Sequence, residues 1–305
     1  MILGAHIGIA RGLPEAVRSL REINGDALQI FSKSPQMWDG PPLALDAAES
    51  FRTAVRTEGV RATAIHHGYL ANLASPKIPI LKRSRRAFQD EIARAELLQV
   101  DGLIFHPGAH TGSGVDAGLA KIAESLRLAI EATPGGKTRL LLENAAGQGT
   151  TLGSRFEELT TVLDAVGAPD RIGVTLDTCH LFAAGFDFRT DETYGRLVDH
   201  IRDTIGLAAV RAFHLNDAKA DLGSHLDRHE NIGKGLLGLD GFRQIVNDDR
   251  WRATPGYLET PLDDEAYTRY AEDLATLRSL VAEAVTPATT GPALRRSRAG
   301  SSTVK

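Results

Sequence analysis

Histidines and carboxylates recur in this chain directly after short apolar runs. His66 follows ATAI, His106 follows GLIF, Glu143 follows RLLL and Asp177 follows GVTL with His180 three residues on. His214 follows AVRAF, Asp227 and His229 lie a little further along, and Glu259 follows YL. A single histidine at such a place is more often a hydrogen-bonded structural residue than a metal ligand, and a single carboxylate there needs a compensating partner. Taken together the balance reverses. Four carboxylates gathered in one place repel one another and take up protons unless cations hold them. Histidine and carboxylate are both zinc ligands, and nine of them exceed the needs of one tetrahedral ion. The set suits a cluster of two or three metals with bridging carboxylates. Local spacing agrees: in Asp177-Thr178-Cys179-His180 the outer residues leave a strand and enter a turn. In Asp227-Arg228-His229 an extended loop puts the first and third side chains on one side, leaving Arg228 to point elsewhere as a candidate phosphate contact.

What must position these residues is an alternation of short apolar runs with amphipathic segments. Strand-like runs fall at Ile2 to Ala5, Ala27 to Phe31, Ala62 to Ile65, Gly102 to Phe105, Arg139 to Leu142, Gly173 to Leu176, Ala209 to Phe213 and Tyr257 to Leu258. Helical segments are expected at Pro14 to Glu22, Leu45 to Glu58, Ile80 to Leu98, Leu119 to Ala132 and Phe156 to Val166. Three more are expected at Tyr194 to Ile205, Leu239 to Asn247 and Asp264 to Ala284, with Pro14 and Asp264 as start signals. Eight strands each followed by a helix form a single (β/α)8 TIM barrel, with an open doubly wound sheet as the alternative. A barrel places its site at the carboxyl ends of the strands, where all nine candidate ligands fall. No interior linker divides residues 1–284. The run from Val285 to Lys305, rich in small, Pro, Gly and basic residues, reads as a disordered basic tail that solubilises the chain, is vestigial, or adds nonspecific attraction to a polyanion.

Composition narrows the function classes. The chain has 305 residues, 42% hydrophobic and 24% charged, as expected of a soluble globular protein. No run approaches the roughly 18 apolar residues of a membrane span, and the N-terminus does not read as a secretory signal. A single cysteine, Cys179, excludes an internal disulfide framework and suits a reducing cytoplasm. The formal net charge of -4 is unusual for a protein that binds phosphate. Three bound divalent cations would bring it to about +2, concentrated at one place. No glycine loop carries the lysine-serine pattern of a nucleotide-phosphate cradle, so no nucleotide cofactor is expected.

Longer motifs surround the candidate ligands. They are GAHIG (Gly4 to Gly8), HHGYLANL (His66 to Leu73), HPGAH (His106 to His110), LENAAGQG (Leu142 to Gly149) and DTCHLFAAGFD (Asp177 to Asp187). HLNDAK (His214 to Lys219), DRHENIGKG (Asp227 to Gly235) and LET (Leu258 to Thr260) follow. From about residue 2 to residue 284 the chain resembles the endonuclease IV family. The resemblance implies three zinc ions, with manganese able to occupy some sites. His66 and His106 would hold one, with Glu143 bridging to a second that also takes Asp177, His214 and Glu259. His180, Asp227 and His229 would hold the third. It further implies a DNA-repair phosphodiesterase acting on double-stranded DNA at abasic sites, cutting on the 5′ side and leaving 3′-hydroxyl and 5′-deoxyribose phosphate ends. Trimming of 3′ ends, a monomer and a nucleoid-associated cytoplasmic location are expected with it. Glu143 would set the spacing of the first two metals, and Glu259 would help position or deprotonate a water.

Tyr69 resembles the family's aromatic wedge into the DNA stack. Gln36 stands in FSKSPQMW where relatives often carry a prising arginine, so weaker DNA distortion is expected, with Lys33 or Met37 substituting in part. Lys234 reads as a solvated lysine and Cys179 as packing. His67, His110, His200 and His225 carry no assigned role. His6 is a candidate to support the site, and Asn144 and Asn216 to support ligands or touch DNA. A sugar isomerase or epimerase on the same kind of barrel would share Glu143, Asp177, His214 and Glu259 but has no need of His180, Asp227 and His229. A non-catalytic binding barrel would be expected to show a substituted ligand, and none is substituted.

Overall fold

The computed structural model describes residues 1–262 and 266–282. The expected helix start at Asp264 and the expected tail from residue 285 lie outside the described residues. Strands β1 (Ile2–His6), β2 (Ala27–Ile30), β3 (Ala62–His66), β4 (Gly102–Phe105) and β5 (Arg139–Glu143) alternate with helices α1 (Leu13–Glu22), α2 (Leu45–Thr57), α3 (Ile78–Leu98) and α4 (Val115–Glu131). Helix α5 (Phe156–Val166) leads to β6 (Ile172–Asp177), which passes directly into a short helix α6 (Thr178–Ala183) and then α7 (Asp191–Asp203). Strand β7 (Val210–His214) is followed by a small antiparallel pair, β8 (Asp217–Ala218) and β9 (His229–Glu230). Helix α8 (Gly238–Val246), β10 (Pro255–Leu258) and α9 (Thr268–Ser279) complete the chain. The long strands close as β1-β10-β7-β6-β5-β4-β3-β2, every pairing parallel. The fold is a single (β/α)8 TIM barrel.

Local sequence explains the elements. In α1, Pro14 occupies the first turn, where its missing N–H costs nothing, and Leu13, Ala16, Val17 and Leu20 form the buried stripe. Helix α5 places Glu157 and Glu158 in its positive first turn and ends on Gly167 in the left-handed region. Helix α7 begins at Asp191, three residues earlier than expected, because Thr190 and Thr193 form a reciprocal capping box. Gly4 is obligatory: a Cβ there would lie 1.7 Å from the carbonyl oxygen of Ala27 on the adjacent strand. The main core fills the layer between barrel and helices, with side chains such as Leu28, Ile65, Phe88, Phe105 and Leu176 fully buried. Each contributes on the order of 1.5–3 kcal/mol by leaving water. Inside the barrel a second cluster, including Ile2, Ala64, Leu141 and Tyr257, packs below the ligand layer. Helix α6 and the β8–β9 pair were not expected from sequence; six and two residues are too few to show a periodicity.

Candidate metal centre

Strand ends converge on the carboxyl-terminal mouth. His66, Glu143, Asp177 and His214 are the final residues of β3, β5, β6 and β7, and His106 and Glu259 follow β4 and β10. His180 is set by α6: Asp177 caps that helix by accepting from the His180 amide at 2.8 Å, so one ligand orients the other. His229 opens β9, and its pairing with Ala218 draws the Asp227–His229 segment over the mouth.

The nine side chains meet. Among the described residues five overlapping donor groups have atoms within 4.8 Å of one another: His66–His106–Glu143, Glu143–Asp177–His214–Glu259 and His180–Asp227–His229, which between them take in all nine, together with His66–His214–Glu259 and Asp177–Cys179–His229. Glu143 belongs to the first two. Its Oε2 lies 3.1 Å from His66 Nε2 and 3.6 Å from His106 Nδ1, while Oε1 lies 2.8 Å from His214 Nδ1. In the third group Asp227 lies 3.2 Å from both His180 Nε2 and His229 Nε2.

Backbone and amide oxygens anchor the outward nitrogens of four of these rings. His66 Nδ1 pairs with the His67 carbonyl (2.8 Å), His180 Nδ1 with the Asn144 carbonyl (2.8 Å) and His229 Nδ1 with the Glu259 carbonyl (3.2 Å). His214 Nε2 pairs with Gln29 Oε1 at 2.8 Å. With the outward N–H donated, each inward nitrogen is the one that could give a lone pair to a cation once its own proton has left, the arrangement found for metal-bound histidine. The inward Nε2 atoms of His180 and His229 are buried without any hydrogen-bond partner. A buried ring nitrogen without a hydrogen-bond partner beside a carboxylate fits a bound cation, and this donor set of imidazole and carboxylate fits zinc.

The electrostatics are those of a cation site. Burial works against protonation of His214, yet Glu143, Glu259 and Asp177 push it up to about 9. His229 is likewise raised to about 9, with Asp177 and Asp227 overcoming burial. The carboxyls of Glu143, Glu259 and Asp227 are held below their ordinary range despite burial, chiefly by the surrounding histidines.

Around the ligands, Asn144 Oδ1 accepts from the Asp177 amide, and Asn216 joins Asp177 Oδ2 (2.7 Å) to the Glu259 amide (2.9 Å). Both asparagines are buried, so they serve ligands and are not placed to touch DNA. His6 lies 3.4 Å from Glu259. Gln29 escaped the sequence reading: fully buried, its Nε2 donates to Glu259 Oε1 at 2.6 Å and lies 2.9 Å from His6 Nδ1. It falls in the middle of an apolar run, which was the available signal. Phe31 and Tyr270 also line the cavity. Cys179 is buried and donates to the Arg228 carbonyl, in keeping with packing.

Of the expected DNA contacts, Tyr69 stands 63% exposed at the rim, its ring edge-on to Phe31 at 5.5 Å. Gln36 and Arg228 are exposed. Lys33 is a correction. Its side chain is 7% exposed and its ammonium is spent on Asp90 (2.5 Å) and Glu91 (3.0 Å), so it fastens the Phe31–Trp38 segment to α3 and does not face solvent.

Comparison with known proteins agrees with this architecture. A family model described as xylose isomerase-like TIM barrel matches residues 17–280. A protein of Chloroflexus aurantiacus named "Probable endonuclease 4" is 41% identical over 91% of this chain and 97% of its own length. One of the same name from Geobacter sulfurreducens is 40% identical over 95% and 98%. Among solved structures, endonuclease IV from Thermus thermophilus superposes with a TM-score of 0.80 at 32% identity, covering 92% of this chain and 98% of that one. A 3-keto-D-glucoside 4-epimerase from E. coli shares the fold alone, with a TM-score of 0.66 at 16% identity over 92% and 99%. Fold and site thus define a xylose isomerase-like TIM barrel with a histidine-carboxylate centre at its carboxyl mouth. Within that class the chain belongs to the endonuclease IV family, enzymes of the deoxyribonuclease IV type. No helix among the described residues is long and apolar enough to cross a membrane.

Proposed function

We propose that the protein is a DNA-repair metallo-endonuclease that hydrolyses the phosphodiester 5′ to an abasic site, leaving 3′-hydroxyl and 5′-deoxyribose phosphate ends, and that it also trims blocked 3′ ends. One observation carries the reading: nine ligand-type side chains converge in overlapping donor groups, three of which take in all nine, two of these joined through Glu143. The third group, His180, Asp227 and His229, favours phosphodiester chemistry over sugar isomerisation, which needs one or two divalent ions. Zinc in three positions, with manganese able to replace it in some, would neutralise phosphate charge and supply an ionised water near neutral pH.

The chain's own residues do the rest. Glu143, with Oε2 toward His66 and His106 and Oε1 toward His214, would help hold two of the ions. Glu259, ionised and steadied by Gln29, is the acceptor for a water proton. Tyr69 enters the base stack, Gln36 lies in the segment beside it, and Arg228 takes a phosphate. The adjoining cavity of about 340 Å³, which shares Tyr69, His106, His180 and Asp227 with the centre, receives the extruded sugar. An abasic nucleotide has no base to unstack, so flipping it costs less than flipping an intact one. Residues 1–284 would be the catalytic unit, acting as a monomer on nucleoid DNA in the cytoplasm, with residues 285–305 an accessory tail.

The test is a duplex carrying one tetrahydrofuran abasic analogue, incubated with and without a chelator, alongside metal analysis. Incision 5′ to the analogue that the chelator abolishes, with three metals per chain, is expected. One metal per chain, turnover of a ketose and an intact duplex would overturn the reading.

A further inference from the structure

The amino-terminal end of the barrel, opposite the metal centre, holds a second polar cavity of about 370 Å³. Three arginines line it: Arg61 before β3, Arg139 opening β5 and Arg211 in β7. None of their guanidinium groups has a hydrogen bond or ion pair among the described residues, and the Nε atoms of Arg139 and Arg211 are buried without a partner. The one carboxylate lining the cavity, Asp101, is occupied by Thr63, whose amide and hydroxyl both donate to its Oδ2 at 2.8 and 3.2 Å. Tyr257 is buried between the two ends, lining this cavity while its ring lies 6.4 Å from that of His214.

Arg211 is there by construction. The β6–β7 register shifts so that Val174 faces Val210 and Thr175 faces Ala212, which leaves Arg211 as the extra residue of a bulge. Bulges re-aim side chains. Its Cγ lies 2.6 Å from where a Cβ on Gly173 would stand, so the glycine on the neighbouring strand is what lets the side chain through. Three positive charges lining one half-open cavity, with two of their donors buried and unpaired, favour an anion sharing it. Guanidinium forks match the oxygens of a phosphate in pairs.

We propose that this end of the barrel binds a phosphate-class oxyanion, either inorganic phosphate or the terminus of a small phosphomonoester, among Arg61, Arg139 and Arg211. The site is independent of the DNA reaction at the other mouth. The metal-loaded full chain is melted in rising inorganic phosphate against sodium chloride of equal ionic strength, with glycerol phosphate as a second probe. The wild type should gain about 5 °C at saturation, and R139Q and R211Q less than a quarter of that. Without phosphate both variants should melt at or above the wild-type temperature, since a like charge has been removed; an arginine with a merely structural role would lower it. H229A, altered at the metal centre, should keep the full response. R61Q, at an exposed position, serves if the other two variants do not fold. A greater gain with glycerol phosphate than with inorganic phosphate assigns the site to a phosphomonoester, and the reverse to the free ion. An equal phosphate response in all three arginine variants, or its loss in H229A alone, overturns the proposal.

Discussion

Replacing Gln29 by Met should loosen metal among Glu143, Asp177, His214 and Glu259 without changing any ligand. The thioether keeps roughly the volume but deletes three polar contacts, one from His214 Nε2 at 2.8 Å, one to Glu259 Oε1 at 2.6 Å and one with His6 Nδ1 at 2.9 Å. The first holds the ring so that Nδ1 faces Glu143, Glu259 and Asp177. Bonds to charged groups contribute about 1.5–3 kcal/mol and neutral ones about 0.5–1.5. His6, 3.4 Å from Glu259, takes up part of the lost contact. A net loss of about 1.4–2.8 kcal/mol follows, or roughly 10- to 100-fold in affinity, the range seen when such supporting groups are removed. Chelator competition at pH 7.5 would read it, with melting of the metal-free chain separating loss of affinity from loss of fold. At saturating metal, stoichiometry should return to the wild-type value. A Q29M protein that holds all its metal with wild-type affinity would refute the claim that this glutamine orients the site.

Three further outcomes follow from the geometry. D227N should lower the metal content by one ion per chain while the Glu143-linked pair stays loaded, and incision should fall about 10²- to 10³-fold, the usual cost of losing charge stabilisation in the transition state; unchanged metal content would remove Asp227 from the third group. His214 and His229 sit near 9 without metal, so both are protonated at neutral pH and a bound cation must expel those protons. Metal affinity should therefore climb with pH up to about 9, with at least two protons released at pH 7 by calorimetry in buffers of different ionisation enthalpy, since the carboxylates around His180 raise that ring as well; release of none would contradict the charge that the carboxylates place on these rings. The same raised values stabilise the metal-free fold most below about pH 6.5, and that contribution fades as pH rises through about 9. Finally, K33A should weaken DNA binding through a loosened segment while leaving the salt dependence unaltered, whereas Q36R should steepen the log-log slope by about 0.9 for one new phosphate contact; a shallower slope in K33A would restore Lys33 as a contact.

Much of this protein was legible before any coordinates. Short apolar runs and amphipathic segments depend on near neighbours alone, and they placed all eight barrel strands and the longer helices to within a few residues, missing the six-residue α6 and the β8–β9 pair. The ligand types were legible too, because a carboxylate or histidine closing an apolar strand has few roles open to it. Gln29 and Lys33 show where that reasoning stops. One looks like an interruption of a strand and orients two ligands; the other looks like a free cation and is buried against α3. In both cases the deciding partner lies dozens to hundreds of positions away. The gathering of nine donors into overlapping groups, two of them sharing Glu143, depends in the same way on barrel closure, which brings β3 beside β4 and β5 beside β6 at a set stagger. So does the turning of Arg211 into the opposite mouth, a consequence of one register shift between β6 and β7. Residue chemistry and local periodicity belong to the chain as written; distances, burial and unpaired donors come only when the strands close on one another.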